Sequence, residues 1–300
     1  MTTPNGYLLV DKPSGVTSHD VVASVRKIMG ERRVGHAGTL DPMATGLLIV
    51  AVGPSTRLLR FCQSEVKRYR GTVQFGAATD SLDADGRVTS SMPVPDFDEE
   101  MVNVAAKKMT GAQLQVPPMV SALKVDGTRL HELARQGIEI ERDARAITVE
   151  SFTLRATDER TRWDFDVVCS TGTYVRVLLS DLAVSLSTLG HLIALRREAS
   201  GRHMVTDALS LDGIARRVEY HETVLRAPLE MLGALERVVL DEDAVRRMRM
   251  GQRLALETAF TSDEVAAIDQ REQLVGVLAR RAELWQPALV MAGDEGPVSR

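Results

Sequence analysis

The stretch "GHAGTLDPMATGLLIVAVG", residues 35–53, sets one carboxylate, Asp41, among glycines and a proline, and an apolar run from Leu47 to Val52 follows at once. Pro42 pushes Asp41 toward an extended backbone. Gly35 and Gly38 permit tight turns and the close approach of another backbone. The apolar run is continuous rather than alternating, which predicts a strand buried on both faces. Asp41 is therefore delivered on a shaped loop by a buried strand. An Asp before Pro also suits a plain turn cap, so the choice between a turn and a site rests on the rest of the chain.

Before this loop, "GYLLVDKPSG" reads as a strand over Tyr7–Val10 ended by a Pro-Gly turn. "TSHDVVASVRKIMG" predicts an amphipathic helix: Thr17 and Asp20 have capping-box spacing, Val21, Val22, Val25, Ile28 and Met29 share a face, and Gly30 closes it. Arg26 and Lys27 fall in its last turn, where the helix dipole favours cations. After the loop, "KRYRGTVQFG" predicts a strand with Tyr69 near its start, and residues 80–100 read as an acidic, turn-rich surface excursion. Helices are expected over "FDEEMVNVAAKKMTG", "TRLHELARQG" and "YVRVLLSDLAVSLSTLG", ending at Gly111, Gly137 and Gly190. "AITVESFTLRATDERTRWDFDVVCSTG" predicts two antiparallel strands. No regular βαβ rhythm links these elements, so the fold class is α+β with a mixed or antiparallel sheet flanked by helices.

Near residue 235 the texture changes. "LERVVLDEDAVRRMRMGQRLAL" suggests strand, helix, strand; "EVAAIDQREQLVGVLARR" a hairpin; "WQPALVMA" a last strand; and the tail "GDEGPVSR" is expected to fray. The chain divides into residues 1–232 and a small β-rich module, 233–300.

Composition narrows the function. The 300 residues are 44% hydrophobic, and no apolar run approaches the roughly 20 residues a membrane span needs. "MTTPNGYLLVDKP" lacks the pattern of a secretion signal, so a cytoplasmic protein is expected. Cys62 and Cys169 make neither metal-ligand spacing nor a disulfide framework. The net charge is −4, yet residues 1–70 carry ten Lys/Arg against five Asp/Glu, a footprint suited to phosphates. "HELAR" lacks the second histidine of a zinc protease, "SALK" lacks the partners of a serine acyl-enzyme, and "SLDADG" lacks the closing Glu of a calcium loop. No phosphate-loop pattern opens a helix, so neither a metal nor a nucleotide or redox cofactor is expected.

"VDKPSGVTSHD", "RRVGHAGTLDPMATGLL", "KRYRGTVQFG", "VPPMVSALKVDGTRLHELARQG", "CSTGTYVRVLLSDL" and "HLIALRREASG" occur in that order over about residues 5–205. Together they closely resemble the bacterial tRNA pseudouridine synthases of the TruB family, whose G-H-x-G-x-L-D-P-x-A-T-G signature is long enough to be specific. The resemblance implies a pseudouridine synthase fold, isomerisation of uridine 55 in the T-loop of tRNA, and no cofactor. It makes Asp41 the catalytic carboxylate, with Arg176 keeping it ionised. Three routes stay open for that carboxylate: attack on the sugar, addition to the ring, or abstraction of the 2′ proton. Tyr69 would stack on the flipped uracil and its hydroxyl assist loss of the C5 proton, with Tyr174 and Leu195 walling the pocket. His36 would fill the space the base vacates or stack on the rearranged loop.

Lys12 is expected either at the substrate phosphate or in an ion pair that supports the loop. Arg32, Arg33, Arg68 and Arg70 are the candidates for backbone phosphates. Lys124 and an insertion over about 115–150 correspond to the family's T-arm grip, and residues 233–300 to a PUA-like RNA-binding domain. The partner implied is a tRNA T-arm stem-loop, without guide RNA, bound by a monomer. Two other readings remain: a tRNA-binding folding factor with little catalysis, and a synthase acting on another stem-loop.

Overall fold

The computed structural model describes residues 4–63, 66–121, 124–125, 128–130, 137–256 and 258–291, without the side chains of residues 63, 124, 125, 128 and 129. Strand β1 (Gly6–Lys12) leads into helix α1 (Ser18–Met29). The Thr17 side chain accepts from the Asp20 amide and Asp20 accepts from the Thr17 amide, the reciprocal cap its spacing predicts. Gly30 closes the helix at φ 61°. Strand β2 (Val34–Ala37) and strand β3 (Thr45–Val52) then bracket the Asp41 loop, and a 3-10 turn leads to helix α2 (Leu59–Gln63).

Strand β3 is buried from Gly46 to its end, and its alternation shows what covers each face. Leu48, Val50 and Val52 join Leu8 and Val10 of β1 and Val21, Val22 and Val25 of α1 in one core. Leu47, Ile49 and Ala51 join Tyr7 and Leu9 in a second core, closed by Met231, Leu232, Ala266, Val277 and Leu289 from the C-terminal part of the chain. Each such aliphatic side chain contributes about 1.5–3 kcal/mol on leaving water. The C-terminal part is thus seated on the strand that carries the loop.

Strand β4 (Lys67–Phe75) is followed by the short pair β5 (Ala77–Thr79) and β6 (Val88–Ser91), then helix α3 (Glu99–Lys108) and strand β7 (Gly111–Gln115). Strands β8 (Lys124–Val125) and β9 (Thr128–Arg129) pair with each other. Strands β10 (Arg145–Ala156) and β11 (Arg162–Cys169) form the expected antiparallel pair, before helix α4 (Val175–Ser185). Strands β12 (Gly190–Ser200) and β13 (His203–Met204) and helix α5 (Leu211–Glu219) complete this part. The large sheet runs β1-β3-β12-β4-β11-β10-β7, with β2 on β3 and β13 on β12. Its pairings are antiparallel except for β3 with β12, where Thr45 and Gly46 pair with Arg196 and Arg197. A second sheet holds β14 (Glu236–Val239), β15 (Glu264–Ile268), β16 (Leu274–Arg281) and β17 (Leu284–Val290), with helix α6 (Glu242–Arg249) after its first strand.

Several expectations are corrected. Helix α4 stops at Ser185: Ser187 turns left-handed at φ 59°, and Gly190 instead opens β12, where a Cβ would lie 2.9 Å from that of Ala183. Thr128–Arg129, read as helical, is strand, and residues 131–136 of that expected helix lie outside the described residues, as does the tail from Gly293. Where "RLAL" suggests a strand, the described residues form an isolated bridge, Leu254 to Trp285. Most of residues 80–100 are exposed, as expected, but the turn at 81–83 dips inward: Ser81 and Asp83 are buried, and the Leu192 amide donates to the Leu82 carbonyl at 3.1 Å.

Gly46 adopts φ +100° where β3 meets β12, and a Cβ there would sit 2.4 Å from the Arg197 carbonyl oxygen. Gly46→Ala is expected to lose about 1–3 kcal/mol or more, read as a lowered midpoint in thermal or urea unfolding.

Candidate active site

The loop carrying Asp41 is fixed through its backbone. The Ser18 hydroxyl donates to the Leu40 carbonyl at 3.1 Å and accepts from the Leu40 amide at 2.9 Å. The Gly15 amide donates to Pro42 O at 2.9 Å, and Ala44 closes a turn on Asp41 O at 3.1 Å. Beneath lies Lys12, whose ammonium donates to the carbonyls of Pro13, Val16 and Pro42 at 2.9, 2.6 and 3.2 Å. Lys12 is 0% exposed. An ammonium has three protons, so this geometry corrects the expectation of a substrate contact: Lys12 ties the 13–16 turn to the loop. Burial lowers its pKa to about 8.

Asp41 meets Arg176 twice, with Nε to Oδ2 at 3.0 Å and Nη2 to Oδ1 at 3.3 Å. The guanidinium also donates to Ser81 O at 2.6 Å and Val120 O at 2.9 Å, and faces Asp83 Oδ2 at 3.3 Å. The arginine side chain is 3% exposed and the Asp41 side chain 34%, so of the pair only Asp41 is partly open to the outside. Arg176 is placed by the start of α4, where Gln115 brackets the Tyr174 backbone. The Tyr174 amide donates to Gln115 Oε1 at 2.7 Å, and Gln115 Nε2 donates to the Tyr174 carbonyl at 3.1 Å. Burial raises the Asp41 pKa; Arg176 opposes the rise and the Asp83 charge adds to it.

The sequence does not mark Asp83 as a site residue; "SLDADG" reads there only as half a calcium loop. Asp83 Oδ1 accepts from the Ser81 hydroxyl at 2.5 Å and the Asp85 amide at 3.2 Å, so the turn holds the second carboxylate against Arg176.

Strand alternation separates the other expected residues. Tyr69 and Leu195 lie on the covered face of the sheet, in a core with Leu40, Ala44, Val175 and Leu178. Tyr174 is half-buried; burial raises its pKa and a hydrogen bond with Ser121 opposes that. Arg68 and Arg70 project from the opposite face of β4, and both pair with Asp166, at 2.6 and 2.9 Å. Arg70 borders an open cleft of about 640 Å³ with Thr72, Asp164 and Arg196. The structure therefore does not bring these two arginines beside Tyr69. Arg32 and Arg33 are exposed after α1, Arg33 lying 3.6 Å from Glu31. The Lys124 side chain lies outside the described residues.

Solved structures share this architecture. The chain aligned in a Cbf5-Nop10-Gar1 complex matches with a TM-score of 0.73 at 22% identity, covering 96% of this chain and 84% of that one. The fold is that of the pseudouridine synthases. The family described as TruB family pseudouridylate synthase (N terminal domain) matches residues 26–175. The tRNA pseudouridine synthase B of Streptococcus sanguinis is 40% identical over 292 residues, 95% of this chain and 99% of the relative. That of Thermobifida fusca is 40% identical over 297 residues, 97% and 99%. That of Opitutus terrae is 49% identical over 210 residues, 70% and 87%. The chain belongs to the TruB family of pseudouridylate synthases, which are isomerases.

His36 packs edge-on to His19, with centroids 5.6 Å apart. Burial, with the charges of His19 and Arg197, lowers its pKa from 6.5 to about 4. Unfolded His36 takes up a proton first as pH falls, so its contribution to stability is present above pH 6.5 and lost from 6.5 towards 4. His36→Asn is expected to flatten the acid limb of a stability–pH curve across that window, measured by urea unfolding.

Proposed function

We propose that this chain isomerises uridine to pseudouridine at position 55 in the T-loop of tRNA. The observation that carries the reading is the Asp41–Arg176 pair: a carboxylate that faces outward, held by an arginine that does not. In the reaction the N1–C1′ bond breaks and a C5–C1′ bond forms. C5 loses its proton and N1 gains one, so no oxidant, reductant or cosubstrate is consumed.

A uridine within a folded loop has to leave its stack, at a cost of a few kcal/mol. Tyr69 stacks on the extruded uracil, an interaction of about 1–3 kcal/mol, and its hydroxyl assists departure of the C5 proton. Tyr174 and Leu195 wall the base, and His36, neutral at physiological pH, fills the vacated space. Asp41 acts at the sugar or the ring, and Arg176 stabilises its charged form.

Residues 1–232 are the catalytic domain in this reading, and 233–300 a PUA-like domain that binds RNA. The segment 115–150, with Lys124, grips the T-arm, and Arg32 and Arg33 meet backbone phosphates, which hold register rather than read sequence. Arg68 and Arg70 do so only where RNA reaches the outer face of β4. The enzyme acts as a monomer, without guide RNA, on cytoplasmic tRNA.

The test is tritium release from [5-³H]uridine in tRNA and in an isolated T-arm hairpin, with no other protein or RNA. Wild-type protein is expected to release label from both. Asp41→Asn is expected to fall by about 10³-fold or more, the scale of losing a reacting group. Binding of tRNA with no release by the wild type would instead leave a folding factor.

A further inference from the structure

Arg197 is the largest wholly buried side chain among the described residues, and it forms no ion pair with a described carboxylate. Its Nε donates to Leu47 O at 2.6 Å and its Nη2 to Gly38 O at 3.1 Å. Its Nη1 lies 3.4 Å from where a Cβ on Gly38 would stand. On the neighbouring strand its direct partner is Tyr69, on the same face of the sheet, with the guanidinium directed towards the phenol. Arg197 therefore touches the strand behind the Asp41 loop, the loop itself three residues before Asp41, and the phenol.

Stability does not account for this arrangement. Burying a charge with no opposite charge costs several kcal/mol, and an apolar side chain would fill the same volume without that cost. What the guanidinium supplies is geometry: a planar fork of donors at fixed angles. Carbonyls of the loop and of β3 take two of its directions, which leaves it rigid against the phenol.

We propose that Arg197 is a positioning residue of the isomerisation, which sets the Tyr69 hydroxyl relative to Asp41 and so acts on turnover rather than on RNA binding. The inference rests on the function proposed above. It makes the 36–44 loop and Tyr69 one mechanical unit, with Arg197 as the joint. Nothing in the composition of "HLIALRREASG" separates Arg197 from its neighbour Arg196, which points to the other face and pairs with Asp11 at 2.8 Å.

The test is a double-mutant cycle on the full chain, read as single-turnover pseudouridine formation at saturating enzyme, with tRNA affinity and thermal melting measured beside it. Lysine lacks the planar fork, so a single ammonium cannot keep the separate directions towards Leu47 O, Gly38 O and the phenol. Arg197→Lys is therefore expected to slow turnover about 10–100-fold, the scale of an ångström-level misplacement. The tRNA Kd should stay within about threefold, because uniform binding is untouched. Tyr69→Phe keeps the ring and removes the hydroxyl. In that background Arg197→Lys is expected to cost no more than about threefold further, since residues that act as a unit do not add.

Losses that multiply, or Arg197→Lys at the wild-type rate, would overturn the assignment and make Arg197 a packing element. Should Arg197→Lys fail to fold, Arg197→Gln takes its place in the cycle. Tyr69→Phe at the wild-type rate overturns it whichever variant is used. An active wild type with multiplying losses sinks this inference alone, whereas a wild type that forms no pseudouridine sinks the proposed function and this inference with it.

Discussion

One buried guanidinium, on Arg176, holds a buried carboxylate, a partly exposed one and two carbonyl groups, and the site exists because it does. A buried ion pair returns little net stability, because both charges give up their water. Removing one partner is what costs, about 3–5 kcal/mol, since the other is left buried alone. The arrangement is therefore stiff without being strongly stabilising. It also joins segments far apart in sequence: the loop at 41, the turn at 81–83, the backbone at 120 and the start of α4. Burial, helped by the second acid on the same arginine, holds the Asp41 carboxyl above the usual range.

The loop is positioned by cations that never reach the surface. Lys12 spends its protons on three carbonyls, and Arg197 donates to two more. Carbonyl acceptors suit a loop, because a loop's carbonyls have no ladder to satisfy them and cannot be left unpaired when buried. Such contacts also read backbone position rather than side-chain identity. The loop can therefore be held rigid while Asp41 stays free to face a ligand.

Strand β3 connects this site to the rest of the molecule. One of its faces is packed by α1 and the other by the C-terminal part, through Ala266, Val277 and Leu289. The C-terminal sheet has its own core around Leu240, Met248, Val265, Leu278 and Trp285, yet shares this second one with the strand that delivers Asp41. The two parts therefore meet through close-packed side chains, which have little room to yield.

The sequence by itself determined the local pieces: the capped helix α1, the buried strand β3, the strands β4, β10 and β11, and the six ordered motifs with Asp41 and Arg176 among them. These were legible because capping, periodicity and turn chemistry act over a few neighbouring residues. It did not reveal β12, α5, the early end of α4, the inward turn of Asp83, or the burial of Lys12 and Arg197. Only the tertiary structure decided which arginines face the loop and which face outward, since on a strand that depends on register and a one-residue step reverses the face. Arg196 and Arg197, adjacent and identical in type, end on opposite sides of the sheet for that reason.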